Sequence, residues 1–198
     1  MAIVTLVSGG FDSTLMSVMA QEEGVVLHPL FVNYGQLGAE KEWAACQRLH
    51  ERFRLPQVTR MDIPGFGRTI PSGITNAAMR INEDAFLPGR NLLFLLAGAA
   101  HAYRTNADGV AIGILNPEDH LFPDQTYEFL KHAEVTIEVA MGRRIFVLAP
   151  LIAFTKSDVL AMARARGIDG TYSCHSGNDV PCGRCVACVE ILNAEKRS

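Results

Sequence analysis

Short β-branched apolar runs alternate with stretches of helical periodicity along almost the whole chain, and this alternation limits the fold more than any other feature. Residues 3–7, 25–32, 58–63, 109–114 and 146–151 read as strands. Between and after them, residues 13–23, 39–53, 91–104, about 124–140 and 155–166 read as helices. In the second helix Trp43, Cys46, His50 and Phe53 recur at helical spacing, and the 91–104 segment is apolar almost all round, which predicts burial. Strand-helix alternation of this kind predicts an α/β fold: a doubly wound, mainly five-stranded parallel sheet covered on both faces. Ligands of such sheets bind beyond the carboxyl ends of the strands, where the winding reverses. The places to look therefore follow residues 7, 32, 114 and 151. Residues 64–88 form a Gly- and Pro-rich loop longer than a compact domain usually carries without a functional reason.

The chain's 198 residues suit one domain, and its 18 basic against 21 acidic residues leave a net charge of −3. A protein that grips a long nucleic acid usually carries a basic surplus, so no nucleic-acid partner is expected. The longest unbroken apolar run, residues 92–100, is far short of a membrane span. The opening MAIVTLVSGG has neither a basic region nor a small-residue cleavage site, and a cytoplasmic protein without membrane attachment is expected.

The first strand runs directly into Ser8-Gly9-Gly10-Phe11-Asp12-Ser13-Thr14 and then a helix. Two glycines let the backbone turn tightly and approach a ligand. The helix start adds free N–H groups and the positive end of its dipole, a ready anion site. Ser8, Ser13 and Thr14 bring hydroxyls, and Asp12 suits a magnesium ion bridging phosphates. The bland alternative is a plain strand-to-helix turn with Ser13 as N-cap, yet the whole string in this context points to phosphate binding. The GK[ST] ending of a Walker loop is missing.

Four of the five cysteines crowd the C-terminal part as Cys174-x7-Cys182-x2-Cys185-x2-Cys188. Two-residue spacers let successive thiolates wrap one tetrahedral ion, and four thiolates with no spare position predict a closed, structural Zn2+ site. Residues 170–192 thus read as a metal-tied tail within a single domain spanning 1–198. Cys46, on an apolar helix face, reads as core, and His175 stands beside the cluster without being needed as a ligand. Thr155-x-x-Asp158 has the form of a capping box, which puts Lys156 in the first turn of a helix. A cation there opposes the dipole by roughly 0.3–1 kcal/mol unless an anion binds, and from spacing alone an ordinary surface lysine fits equally well. Arg90 and Asn91 stand at a helix start, suited either to a carboxylate or phosphate or to a surface arginine beside a capping asparagine. The stretch GILNPEDHLFPDQTYEF, residues 113–129, follows the fourth strand and should border the pocket. Within it Phe122 could stack on a ring and Asp124 could accept from ring N–H groups, or Asp124 could simply cap a helix.

SGGFDST resembles the PP-loop of the N-type ATP pyrophosphatases, whose fold is that of the adenine nucleotide alpha hydrolases. With NYGQ at 33–36, LPGRNLLFL at 87–95 and the cysteine cluster, the resemblance narrows to the 7-cyano-7-deazaguanine synthase family of queuosine biosynthesis. It implies a ligase that adenylates 7-carboxy-7-deazaguanine with ATP and converts it with ammonia, through the amide, to the nitrile. By that resemblance Ser8, Gly9, Gly10, Phe11, Asp12, Ser13, Thr14, Tyr34, Arg90 and Lys156 contact ATP, with Asp12, Ser13 and Lys156 serving the chemistry and Mg2+ accompanying the nucleotide. Arg90, Asn91, Phe122 and Asp124 would hold the deazaguanine, the last two through an element resembling the family's YPD. The resemblance also implies a homodimer.

Two departures lie at the substrate end. The family continues YGQ with Arg-His and YPD with Cys-Arg, where this chain has Leu37-Gly38 and Gln125-Thr126. Relatives near antiphage defence genes join a deazapurine carboxylate to a protein amine, which gives a second reading with a protein acceptor or operon partner. A nucleotide-binding subunit without catalysis is the third, opposed by intact Asp12 and Lys156.

Overall fold

A computed structural model describes residues 1–116 and 122–197; residues 117–121 of the stretch expected to border the pocket lie outside the described residues. The elements run β1 (Ala2–Val7), α1 (Phe11–Glu22), β2 (Val26–Asn33), α2 (Ala39–Arg52), β3 (Thr59–Asp62), α3 (Gly65–Thr69), α4 (Arg90–Thr105), β4 (Gly109–Ala111), α5 (Tyr127–Met141), β5 (Phe146–Leu148), α6 (Lys156–Ala165) and α7 (Val186–Arg197). The five strands form one sheet in the order β3-β2-β1-β4-β5 with every neighbouring pair parallel. The expected doubly wound sheet is present.

Strand β1 is central and buried on both faces, which is why its sequence is nearly continuously apolar. Alternate residues serve opposite layers. Val4 and Leu6 join Leu30, Val110 and Ile112 under α4 and α5, where Leu95, Ala99, Ala133 and Ile137 close the core. Ile3, Leu27 and Ala111 face α1 and α6 through Leu15, Met16, Val159 and Ala163. Helix α4 comes very near the sheet at Gly98, where a Cβ would stand 2.4 Å from Val110 Cγ2.

Four details differ from the expectation. Strands β4 and β5 end at Ala111 and Leu148, earlier than residues 114 and 151. Beyond a last bond from Ile112 N to Leu148 O (2.9 Å), residues 149–154 coil into turns that lead to α6. Helix α4 is not buried all round: Leu92, Leu96 and Tyr103 are 42–49% exposed, because a helix lying on one face of a sheet buries only one stripe. The 64–88 segment is not open loop. It begins with α3, is pinned by Gly73 N donating to Asp84 O (2.7 Å), and packs Ile74, Ala85 and Leu87 beneath Tyr34. Helix α7 was not expected, since its first turns carry Cys188 and read as part of the metal knuckle. No helix among the described residues is long and apolar enough to cross a membrane.

Candidate active site

The winding reverses between β1 and β4, and a cavity of about 270 Å³ opens at their carboxyl ends. Its floor comes from Val7 and Ser8 after β1, Val32 and Tyr34 at the end of β2, and residues 112–114 after β4.

The glycine turn forms one wall. Gly10 takes the N-cap position of α1 with no side-chain cap, so the first-turn N–H groups remain available to an anion. Ser13 is therefore not the cap. Its hydroxyl instead accepts from Ser8 N (3.1 Å) and lies 3.2 Å from Ser8 Oγ, bracing the turn across its mouth. Gly9 has φ +74°, and a Cβ there would meet Glu42 O at 2.7 Å and Ala45 Cβ at 2.9 Å. Gly9→Ala is expected to destabilise the fold by at least about 2 kcal/mol, since left-handed backbone alone costs an L-residue roughly 1–2 kcal/mol; urea unfolding measures it. Gly9, Phe11 and Thr14 do not line the cavity: Phe11 packs into the α1–α6 core and Thr14 is buried.

Across the cavity, Thr155 and Asp158 form the expected capping box, with Asp158 Oδ2 accepting from Thr155 N (2.9 Å) and Oγ1 (2.7 Å). These bonds hold the Asp158 carboxyl below its usual range. Lys156, the first residue of α6, donates to Asp12 Oδ1 and Oδ2 at 2.7 and 2.8 Å. Two residues 144 positions apart thus meet over the start of α1.

Arg90 opens α4 behind Gly89, its Nε buried without a hydrogen-bond partner, and its guanidinium lies 5.8 Å from the Phe94 ring centre. Burial pushes the neighbouring Tyr34 phenol up to about 12, with Arg90 opposing. Asn91 does not cap the helix; its Nδ2 donates to Asp124 O (3.0 Å) and ties α4 to the turn before α5. Thr126 caps α5, accepting from Phe129 N (3.1 Å). Asp124 therefore caps nothing, and although it is not part of the cavity lining, its buried Oδ1 has no partner. Phe122 lines the cavity and stacks on Phe86 with ring centres 5.2 Å apart.

Two sets of wall residues escaped the sequence reading: Glu42, which Gln36 of the NYGQ string holds, and part of the tail. Gln36 accepts from Tyr34 N (3.0 Å) and donates to Glu42 Oε2 (2.8 Å), so a carboxylate at the start of α2 also faces the cavity. The available signal was an acid four residues before Cys46, on the buried stripe of α2. Burial pushes Glu42 up to about 7, against the Gln36 hydrogen bond and the field of Arg90. A carboxyl raised on folding favours the fold fully below its unfolded value near 4.5 and loses that contribution as pH rises through about 7. Glu42→Gln is accordingly expected to melt several degrees higher than the parent at pH 8, with the gap closing toward pH 5, in paired thermal scans. The second set comes from the tail: Tyr172, Ser173 and His175, with Val186, Ala187 and Glu190 of α7. His175 is half-buried, its Nδ1 buried and unpartnered, and desolvation together with Arg90 and Lys156 holds its pKa down to about 4.

Cys174, Cys182, Cys185 and Cys188 converge with their sulfurs all within 4.8 Å of one another. A Zn–S bond of about 2.3 Å implies sulfurs about 3.8 Å apart around a tetrahedron, so the quartet fits such an ion. His175 N, Cys182 N and Cys185 N donate to the sulfurs of Cys185, Cys174 and Cys182 at 3.3–3.5 Å, as suits thiolate acceptors.

The sheet order, the glycine turn and the cavity above it define a PP-loop α/β protein. Solved structures agree on the fold: a U34-tRNA thiolase from Methanococcus maripaludis (TM-score 0.57, 17% identity, 99% of this chain and 67% of that one) and NMN synthetase from Francisella tularensis (0.57, 14%, 100% and 84%). The profile described as queuosine biosynthesis protein QueC matches residues 2–196, and the chain belongs to that family. Among its relatives, the 7-cyano-7-deazaguanine synthase of Methanothermobacter thermautotrophicus is 29% identical, with 98% of this chain and 94% of that protein covered. The synthase of Marinobacter nauticus is 30% identical over 98% and 91%.

Proposed function

We propose that this protein is an ATP-dependent ligase that turns 7-carboxy-7-deazaguanine and ammonia into 7-cyano-7-deazaguanine. The observation that carries the reading is the Lys156–Asp12 pair poised over the uncapped start of α1, in one cavity with Arg90 and Asn91 of the PGRN string. Membership of the family supports the same chemistry.

A carboxylate oxygen is a poor leaving group, and adenylation replaces it with AMP. The substrate carboxylate attacks the α-phosphorus of ATP and pyrophosphate departs. Ammonia then adds at the acyl carbon, loses a proton and expels AMP, leaving the amide. The amide oxygen attacks the α-phosphorus of a second ATP with departure of pyrophosphate, and loss of AMP with the two remaining N–H protons leaves the nitrile. The protein's contribution is placement and charge stabilisation. Ser8, Gly10, Ser13 and the first-turn N–H groups of α1 cradle the phosphates, while Lys156 neutralises charge that grows on the leaving pyrophosphate. Asp12 would help hold Mg2+, which supplies further charge neutralisation when bound. Arg90 and Asn91, with Phe122 and Asp124 near the mouth, hold the deazapurine. Zn2+ in the Cys174–Cys182–Cys185–Cys188 site keeps the tail folded against this cavity, within one domain that acts in the cytoplasm. A homodimer is consistent with the exposed Leu92, Leu96 and Tyr103 on α4.

Incubation with ATP, magnesium, 7-carboxy-7-deazaguanine and ammonium tests the reading by mass spectrometry. Conversion to the nitrile with AMP release is expected. No AMP formation with this acceptor would overturn it. A second reading, transfer of the carboxylate to a protein amine, is favoured by one feature: Leu37, where the family has arginine, borders a separate open cleft of about 610 Å³ with Arg80, Asn178 and Arg184. Carboxylate consumption only in the presence of a partner protein, with mass added to that protein, would mark it.

A further inference from the structure

Glu42 and Glu190 are cavity acids that the proposed mechanism leaves unused, and Glu42 is the one held by a neighbouring amide. Glu42 stands in the first turn of α2, where the helix dipole tolerates negative charge. Gln36 fixes it: the amide oxygen of Gln36 is engaged by Tyr34 N at 3.0 Å, so its Nε2 must point to Glu42 Oε2 at 2.8 Å. Among the described residues nothing donates to Glu42 Oε1, and no ion pair engages this carboxylate. A carboxylate held this way in a cavity wall, with its charge raised in cost by burial, awaits a donor. Arg90 is close enough to act on it electrostatically, and that positive field disfavours a second cation at the same spot. Neutral N–H donors suit it better, and Tyr34, Phe94, Phe122 and Tyr172 give the cavity flat aromatic walls for a planar ring.

We propose that Glu42 is a specificity-determining residue that accepts hydrogen bonds from the amino-bearing edge of a purine-like base, with Gln36 as its positioning residue. The inference rests on the proposed reaction, which brings two such bases here: the deazaguanine, with an exocyclic amine beside a ring N–H, and the adenine of ATP, with its 6-amino group. Both offer the same chemistry to Oε1.

Glu42→Gln separates them. Gln36 Nε2 would keep the new amide oxygen, turning the amide NH2 toward the ligand and replacing an acceptor by a donor. Calorimetric titrations would use two pairs of ligands: 7-carboxy-7-deazaguanine against its analogue without the 2-amino group, and a non-hydrolysable ATP analogue against the corresponding 6-desamino nucleotide. The parent is expected to bind the amino-bearing member of one pair at least about 10-fold more tightly, as a lost hydrogen bond to a charged group implies. E42Q should narrow that ratio to within about twofold and leave the other pair unchanged; the pair that responds names the base. Retention of both ratios by E42Q would overturn the inference. If the parent binds none of the four ligands, the proposed reaction itself falls, a result distinguishable from that one. Gln36→Leu, which removes the brace and keeps the acid, should narrow the same ratio, and the test then stands even where E42Q folds poorly; unchanged metal content and far-ultraviolet circular dichroism certify each variant.

Discussion

Lys156→Ala is expected to lower the rate of AMP formation about 10²–10³-fold while leaving the melting temperature within a few degrees of the parent. Removing one preorganised charge or donor from a site where negative charge grows costs on that order. Stability should barely move because two small effects oppose each other. In the first turn of α6 a cation works against the helix dipole by roughly 0.3–1 kcal/mol, and alanine relieves that. The same change removes the ion pair to Asp12, whose partly exposed position gives it a similarly modest worth. A lysine kept only for folding would show the reverse, lost stability with turnover intact. Asp12→Asn combined with Lys156→Ala should cost little more than either change alone, because the two side chains act as one unit across the cavity. Steady-state pyrophosphate release with each variant decides the matter, and a K156A enzyme within threefold of the parent would remove Lys156 from the reaction.

That lysine also shows where a sequence stops being legible. The capping box was visible as Thr155-x-x-Asp158 and forms as expected, because all of its atoms lie within four residues. Whether Lys156 faced water or a ligand could not be read from spacing, since the answer depends on Asp12, 144 positions away. The glycine turn and the cysteine quartet were legible for the same reason as the box: their geometry is set within one short stretch. So was the sheet, whose strand periodicity and helical crossovers leave few topologies open. What stayed hidden is tertiary. Glu42 reads as one more acid on an amphipathic helix until Gln36 is seen to hold it, and α4 reads as buried all round until the sheet is seen to cover only one side. The tail read as a metal knot that ties down the chain end; it also walls the cavity, because Tyr172 N donates to Gly9 O at 2.8 Å and draws the segment across the glycine turn.

Removal of the metal proposed for the cysteine quartet should therefore disable the proposed nucleotide site and not merely loosen the chain end. Residues 170–185 contain no helix or strand, and the buried sulfurs of Cys174, Cys185 and Cys188 are the centre of the small cluster they form with Ile81, Tyr172 and Ala187. Without an ion, four thiols offer that cluster little cohesion. Structural zinc supplies roughly 10–16 kcal/mol of apparent binding energy in small domains that fold around it. Here the sheet has its own core on both faces, so only the part of that energy that orders the tail should appear in the melting curve, on the order of 3 kcal/mol or 10 °C. The larger loss is expected in binding. Tyr172, Ser173, His175 and the start of α7 would leave the cavity wall together, and affinity for a non-hydrolysable ATP analogue should fall more than 10-fold. Helix α7 packs on α6 and its Glu195 pairs with Arg164 (2.7 Å), so its release would also unsettle the helix that begins with Lys156. Cys185→Ser, in the most buried position of the four, should reproduce the effect of a chelator on the parent chain. One zinc per chain by elemental analysis, lost together with nucleotide affinity while far-ultraviolet circular dichroism keeps most of its helical signal, is the expected result. Metal-free protein that binds the nucleotide as tightly as before would show that the tail is a clasp alone and that the cavity is complete without it.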